Sequence, residues 1–481
     1  MNVINAAVQP RQLPKPMVGM YVFFGLMVSV LLSTLFRLPL ILGLIFGAQL
    51  VLLSLAVYRK VFIVASLLVG QLTASNYMIS VGGTPVSIRF IWTIIAAIML
   101  IYLYSKEKKS FLGKWGWKVM TPAIVLVLFG TISNSINTDM SYTLQYLRTA
   151  ATSLVIILMV PAVVEEEEDF KILGLVALTT CIISGFFAIM QRYNIDFLPM
   201  KLSILGTNGL LKTRAMGLND NPVDLSFTLP LVLIPALTLL FFNVVNSRYK
   251  VWYILALVAM VVGEYVTYTR SGMYAMAAAL VALPLFMRSK HKWHIFAVVL
   301  VVIMAFVMYT DMKANRYTKG VSNESSAAGR LVLWQAGAKI AMSSPIIGIG
   351  GRAFKAASAQ YLNEVTYNAD VVQPTDVLGL EQPHNDFLRI WVSYGTIALI
   401  AFIWLIISIF RNFIVSYHAL STNLVKGLAL GCFAAFVAYS VNAFTHNVID
   451  EVSLIWVFGG LSIALCKLAV TQKQKQLKAS E

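Results

Sequence analysis

His384, in the tripeptide His384-Asn385-Asp386, is the residue of this sequence best suited to move a proton near neutral pH, because imidazole titrates close to the working pH. Arg330 and Arg352 lie in the polar stretch Asp311 to Pro383 that it closes. Further arginines stand at Arg89, Arg148, Arg192, Arg214, Arg270 and Arg389. A guanidinium stays charged and grips phosphate oxygens in pairs, which an ammonium does less well. A neutral imidazole beside such groups could accept the proton of a hydroxyl while the arginines hold a phosphate or pyrophosphate. Each residue also has an ordinary reading. A histidine just before a helix is commonly a capping residue, and His446-Asn447 repeats the dipeptide at what reads as a helix end. Any one arginine can snorkel or pair with a carboxylate, as Arg148 could with Glu264.

No second histidine or carboxylate lies at zinc-ligand spacing beside His384, so the sequence calls for no metal. Cys181, Cys432 and Cys466 all fall in apolar runs without paired spacing and suggest neither a disulfide framework nor a metal cluster. Gly348-Ile349-Gly350-Gly351 follows a helical segment rather than opening one from a strand, which argues against a dinucleotide loop. No cofactor is implied.

The elements that must position these residues are membrane helices. With 59% apolar and 12% charged residues over 481 positions, the chain lies far outside the soluble range. Apolar runs of about 20 residues can each cross the hydrocarbon core. They predict an all-α polytopic membrane protein with 12–14 transmembrane helices. The fourteen runs cover residues 18–36, 38–57, 61–80, 86–104, 118–136, 141–164, 170–190, 222–243, 250–269, 272–287, 293–310, 386–410, 427–445 and 451–467. The organisation is thus 1–310, N-terminal membrane helices; 311–385, one large, partly helical loop; and 386–481, C-terminal helices and tail. In the loop, GRLVLWQAGAKIAM has helical spacing at Leu331, Trp334, Ala338 and Ala341, and Ser344-Pro345 should end that helix. Arg11 and Lys15 precede the first run, which lacks a small-residue cleavage site and reads as a helix rather than a removed signal.

A net charge of +16 would suggest nucleic acid in a soluble protein, but the basic residues sit in short clusters between spans. No nucleic acid partner is expected. With both termini cytoplasmic, lysines divide 16 inside to 6 outside, as the positive-inside rule requires. Arginines divide 5 inside to 10 outside. Lysine follows membrane insertion; arginine follows something else. Glu165 to Asp169 is read as a solvated connection on the inner side. Arg148, about two turns inside its helix, must reach a partner or a wet cavity, since a bilayer-embedded arginine costs roughly 2.5–3.5 kcal/mol.

In order along the chain, four features resemble the O-antigen ligase and O-antigen polymerase superfamily of bacterial membrane glycosyltransferases. They are the Asn221-Pro222 start of a span, Arg270-Ser271-Gly272, GRLVLWQAGAKIAMSSPIIGIGGRAF and PHNDFLRIWVSYGTIALI. The likeness is strongest over residues 210–410. It implies a helical bundle with a large periplasmic loop, which takes glycan from undecaprenyl pyrophosphate and transfers it without a metal and with inversion at the anomeric carbon. His384 then corresponds to the loop histidine, Arg330 to the loop arginine and Arg270 to the arginine of the short break. Two departures stand out: the order Thr269-Arg270-Ser271 at the break, and fourteen helices where the ligases usually have twelve.

The resulting expectation is a multi-pass inner-membrane glycosyltransferase whose active site faces the periplasm, with membrane lipids around it. Its partners would be an undecaprenyl-pyrophosphate-linked oligosaccharide and a glycan or lipid acceptor. His384 is the candidate catalytic base, and Arg270, Arg330, Arg214, Arg148, Arg352 and Arg89 are the candidate pyrophosphate or substrate contacts. The helix count favours polymerisation of repeat units of O-antigen or exopolysaccharide. A ligase joining glycan to lipid A–core and, from another class, a polyprenyl-lipid flippase or transporter are the alternatives.

Overall fold

A computed structural model describes residues 25, 27, 40–73, 78–81, 84–107, 112–193, 214–219, 221–287, 323–361, 364–365, 382–451 and 454–480. The chain is an all-α polytopic membrane protein with one small hairpin. Its helices are α1 (Leu40–Leu55), α2 (Val61–Leu72), α3 (Ile88–Glu107), α4 (Gly113–Asn137), α5 (Met140–Val163), α6 (Glu167–Tyr193), α7 (Pro222–Phe241), α8 (Lys250–Tyr265) and α9 (Arg270–Phe286). Then come the loop helices α10 (Asn323–Ser343) and α11 (Phe354–Gln360), followed by α12 (Asp386–Ala419), α13 (Asn423–Thr445), the short α14 (Val448–Glu451) and α15 (Leu454–Ser480). Among the described residues, α4, α5, α6, α7, α12, α13 and α15 are long and apolar enough to cross a membrane, and shorter apolar helices accompany them.

Twelve of the fourteen expected spans coincide with these helices. Those at 18–36 and 293–310 lie essentially outside the described residues. One expectation is corrected: the span read over 61–80 ends at Leu72, and Met78–Val81 pairs antiparallel with Thr84–Ser87. Apolar content alone had extended the helix across β-branched, glycine-flanked sequence that suits a hairpin. Helix α12 runs on to Ala419 and α15 to Ser480, beyond the apolar runs that predicted them.

The central packing joins α7 to α13, α12 to α4, α9 to α13 and α15 to α5, with Phe227, Phe402, Phe413, Phe436 and Tyr439 fully buried. Lipid tails are as apolar as leucine, so helices associate through close packing and interhelical hydrogen bonds rather than hydrophobic exclusion. Helices α6 and α8 accordingly cross at a glycine pair, where a Cβ on Gly263 would sit 2.7 Å from the Gly185 Cα. Thr238 Oγ1 of α7 donates to the Gly427 carbonyl of α13 at 2.8 Å.

Side-chain contacts define the two ends of the bundle. At one end Arg59 bridges Glu166 and Asp169 (2.9 and 2.6 Å). Lys467 there donates to the Pro161 carbonyl, and Glu167 accepts from Thr422 and Gln472. The acidic run is the solvated helix connection its composition suggested, with Glu165, Glu166 and Glu168 exposed, and its last residue, Asp169, is buried and anchors Arg59. Parity of the expected spans puts Arg59, the acidic run and Lys467 on one side, and they gather at one end. The described part of the long loop and the chemistry-bearing residues gather at the other.

Candidate functional site

His384 stands at the entry to α12. Its φ is +51°, a left-handed conformation uncommon outside glycine, and two contacts hold it there. On one side the Trp334 indole of α10 donates to the Pro383 carbonyl at 3.1 Å. On the other, Asn385 caps α12 by accepting from the Leu388 amide, which satisfies an otherwise orphaned first-turn donor. The next residue, Asp386, is fully buried. It accepts from the Ile449 amide at 2.9 Å and lies 3.8 Å from Arg389, tying the start of α12 to the chain just past His446. His384 Nδ1 is buried and has no hydrogen-bond partner among the described residues.

The aspartate tie brings His446 beside His384, their ring centroids 5.8 Å apart. Arg330 of α10 reaches His446, with Nη2 3.0 Å from Nε2. A guanidinium can only donate, so His446 Nε2 is the acceptor and the neutral ring carries its proton on Nδ1. The Phe227 ring packs edge to face with His446, their centroids 5.1 Å apart. Burial, then the charges of Arg330, His384 and Arg214, push the His446 pKa down to about 3. Burial and Arg330 also lower that of His384. Both imidazoles are therefore neutral at physiological pH. Arg330 is itself lowered by burial and by the neighbouring charge of Arg270, yet as an arginine it stays ionised.

Arg270 begins α9 after a four-residue break, and Tyr268 within that break has φ +52°. Arg214 is fixed against the break, with Nε donating to the Thr267 carbonyl at 2.9 Å and Nη2 to Thr269 Oγ1 at 2.6 Å. Below it, Ser226 Oγ donates to buried Glu264 at 2.6 Å, and Gly272 leaves room for both side chains. Glu264, one carboxylate that Arg148 could have paired with, thus bonds Ser226 instead. Arg148 lies over the Phe90 ring, 5.1 Å from its centroid.

The glycine cluster is a strap. Ile349 and Gly350 amides donate to the Val392 and Ser393 carbonyls of α12, and the Gly351 amide donates to Asn134 Oδ1 of α4. Gly348, Gly350 and Gly395 all have positive φ, and Gly395 kinks α12 where the strap docks. The strap carries Arg352 onto the Tyr142 ring, 4.3 Å from its centroid, where it is solvent-exposed. Helix α10 forms as expected and ends before Ser344, but its buried face is Val332, Leu333, Ala336, Ile340 and Ala341, packed on Phe354 and Val392. Leu331, expected on that face, is 54% exposed. Of the four residues chosen from spacing, Ala341 is buried, Trp334 and Ala338 are half-buried and Leu331 is exposed, so the true face lies partly beside the expected one.

Of the residues the sequence singled out, His384, Arg330, Arg270 and Arg214 come together. Arg148 and Arg352 are engaged with aromatic rings instead, and Arg89 opens α3 with its side chain outside the described residues. The residue that sequence reasoning passed over is His446. Its signal was the second His-Asn dipeptide, at the same end of the bundle as the first.

The model of a family described as O-antigen ligase matches residues 255–403. Two curated proteins align with this chain over 153 residues. One is a "Putative polysaccharide ligase" of Rickettsia conorii, 26% identical over 32% of this chain and 34% of its own. The other, of the same name from Rickettsia felis, is 24% identical over the same shares. The chain therefore matches only about a third of the length of these relatives. Arg214 and His446 lie outside the family match, and the fold alone brings them to it. Over residues 255–403, the stretch holding Arg270, Arg330 and His384, the chain matches the O-antigen ligase family by sequence model as well as by motif.

Proposed function

We propose that the protein is a ligase-type glycosyltransferase, moving glycan from a polyprenyl pyrophosphate, the undecaprenyl carrier, to a hydroxyl of an acceptor glycan or lipid. The observation that carries this reading is the convergence of Arg214, Arg270 and Arg330 on a pair of neutral histidines at one end of a membrane bundle. The acceptor oxygen attacks the anomeric carbon from the face opposite the pyrophosphate, and the carbon–pyrophosphate bond breaks with inversion. The hydroxyl proton passes to the imidazole of His384, which burial and Arg330 keep in its neutral, proton-accepting form. The three guanidiniums take up the charge developing on the leaving pyrophosphate, as preorganised donors do in other transferases. Their field repels a divalent cation, which favours arginine over metal in that role.

The lysine asymmetry supports a site on the periplasmic face of the inner membrane with both termini cytoplasmic. Transport is the weaker reading, since a translocation path needs charged groups along its length, whereas these cations crowd one end. The helix count that favours polymerisation includes two spans outside the described residues, and the relatives' names favour a ligase. The deciding experiment is reconstitution of purified protein with a lipid-linked repeat unit. Product only after lipid A–core is added supports the ligase, and a ladder without core identifies a polymerase. No transfer in either arm overturns glycan transfer.

A further inference from the structure

At the bundle end opposite the histidines, three cations gather where no carboxylate among the described residues pairs with them. Lys118 Nζ lies 4.8 Å from the centroid of the Trp115 ring and Arg411 Cζ lies 5.6 Å from it. Lys114 is close enough for its charge to act on Lys118. At the same end Arg59, Lys171 and Lys467 each lie within ion-pair distance of a carboxylate. Among the described residues, Lys114, Lys118 and Arg411 make no such pair. Lys118 and Arg411, held on one indole with Lys114 near enough to act on Lys118, repel one another unless an anion sits among them. The first turn of α4, which carries Lys114 and Trp115, has no side-chain cap, so its amides add to the same field.

The helix faces leading away from the cations identify the anion's other half. On α12, Ile400, Trp404 and Ile407 are exposed and lie on the face that ends at Arg411. On α4, Trp117, Ile124 and Leu128 are exposed on the face that begins at Lys114. Spacings of three, four and seven make each set one continuous apolar stripe. An exposed tryptophan beside the cations marks the depth of a membrane–water interface. A charged head flanked by two apolar stripes fits an acylated phosphate and leaves a free phosphate with half of the surface unused.

We propose that the α4–α12 edge at this end binds the phosphodiester head of an anionic phospholipid, with Lys114, Lys118 and Arg411 around the phosphate and the acyl chains along the two stripes. The test uses the full chain in detergent. Thermal unfolding is followed with added phosphatidylglycerol, phosphatidylcholine or inorganic phosphate, for the wild type, the Lys118→Gln/Arg411→Gln variant and a Lys473→Gln/Lys475→Gln control that removes the same charge from the exposed tail. Ligand bound to the native state raises the midpoint by mass action. Phosphatidylglycerol should raise it by several degrees more than phosphatidylcholine in wild type and control, and most of that preference should vanish in the Lys118/Arg411 variant. A preference that survives in that variant, or is lost equally in the control, overturns the site. An equal response to inorganic phosphate overturns the lipid assignment. If the double variant cannot be recovered folded, Arg411→Gln alone decides, and an unchanged preference then refutes the proposal.

Discussion

Arg330 and His446 are separated by 116 positions in the chain, yet the guanidinium of one lies 3.0 Å from the ring nitrogen of the other. This contact joins the long loop to the C-terminal helices and fixes the arginine beside His384. It also gives the two residues different tests. In Arg330→Lys a charge remains but the forked donor set is lost, and in Arg330→Ala the donors disappear. Removing one preorganised donor typically costs about 10²–10³-fold in turnover. Arg330→Ala should show such a loss, and Arg330→Lys should recover only part of it. His446→Gln retains an acceptor for Arg330, so it should keep most activity, whereas His446→Leu should lose about tenfold, the equivalent of roughly 1.4 kcal/mol. Equal activity in Gln and Leu variants would sink the orienting role.

His384→Ala should lower glycan transfer by about 10²–10⁴-fold, the usual worth of a general base, with expression and unfolding temperature close to wild type. The pH profile follows from the same residue. Burial and Arg330 depress the His384 pKa, and a base works only when neutral. Transfer should therefore be flat above the ordinary histidine value of about 6.5 and fall only in more acidic solution. An acid limb centred above that value would contradict the assignment.

His446 makes a stability prediction of its own. Its folded pKa of about 3 lies below that of an unfolded histidine, so between the two values the unfolded chain binds the extra proton. By linkage the contribution of neutral His446 is fully present above the unfolded value of about 6.5 and is lost as pH falls from there towards about 3. Thermal unfolding across this window should be less acid-sensitive in His446→Gln than in wild type. Identical acid sensitivity would refute the claim.

Trp334→Phe removes the indole donor to the Pro383 carbonyl while keeping an aromatic ring to face Phe444. A neutral hydrogen bond contributes about 1 kcal/mol net. If that bond holds His384 in its left-handed conformation, turnover should fall about fivefold with KM for the lipid-linked donor unchanged. A change in KM alone would mean that Trp334 shapes the binding surface instead.

Gly395→Ala tests the strap. The glycine has φ +85°, and an added Cβ would meet the Ile346 backbone. With both strain and collision, destabilisation should exceed about 2 kcal/mol. The readout is a lowered unfolding temperature or recovery of folded protein, with Gly174→Ala, whose Cβ would meet nothing within 4 Å, as the tolerated comparison.

The sequence by itself determined the membrane bundle, because about 20 apolar residues in a row have few other soluble or structural fates. Alternation of spans predicts which polar residues share an end, and the contacts of Arg59 with Glu166 and of His384 with His446 agree with it. His384, Arg270 and Arg330 were legible as chemistry because histidine and arginine on the lysine-poor side lack an insertion rationale. What only the tertiary structure decided is which of these residues meet. Arg148 and Arg214 looked equivalent in sequence, but α3 presents Phe90 to the first while Thr267 and Thr269 hold the second beside the site. His446 looked like a helix-end residue until Asp386, bonded to the Ile449 amide, drew its segment against the start of α12. Hydropathy is a property of each segment alone and survives in the linear chain. Convergence depends on which helix faces which, and in a bundle that is set by packing between distant segments.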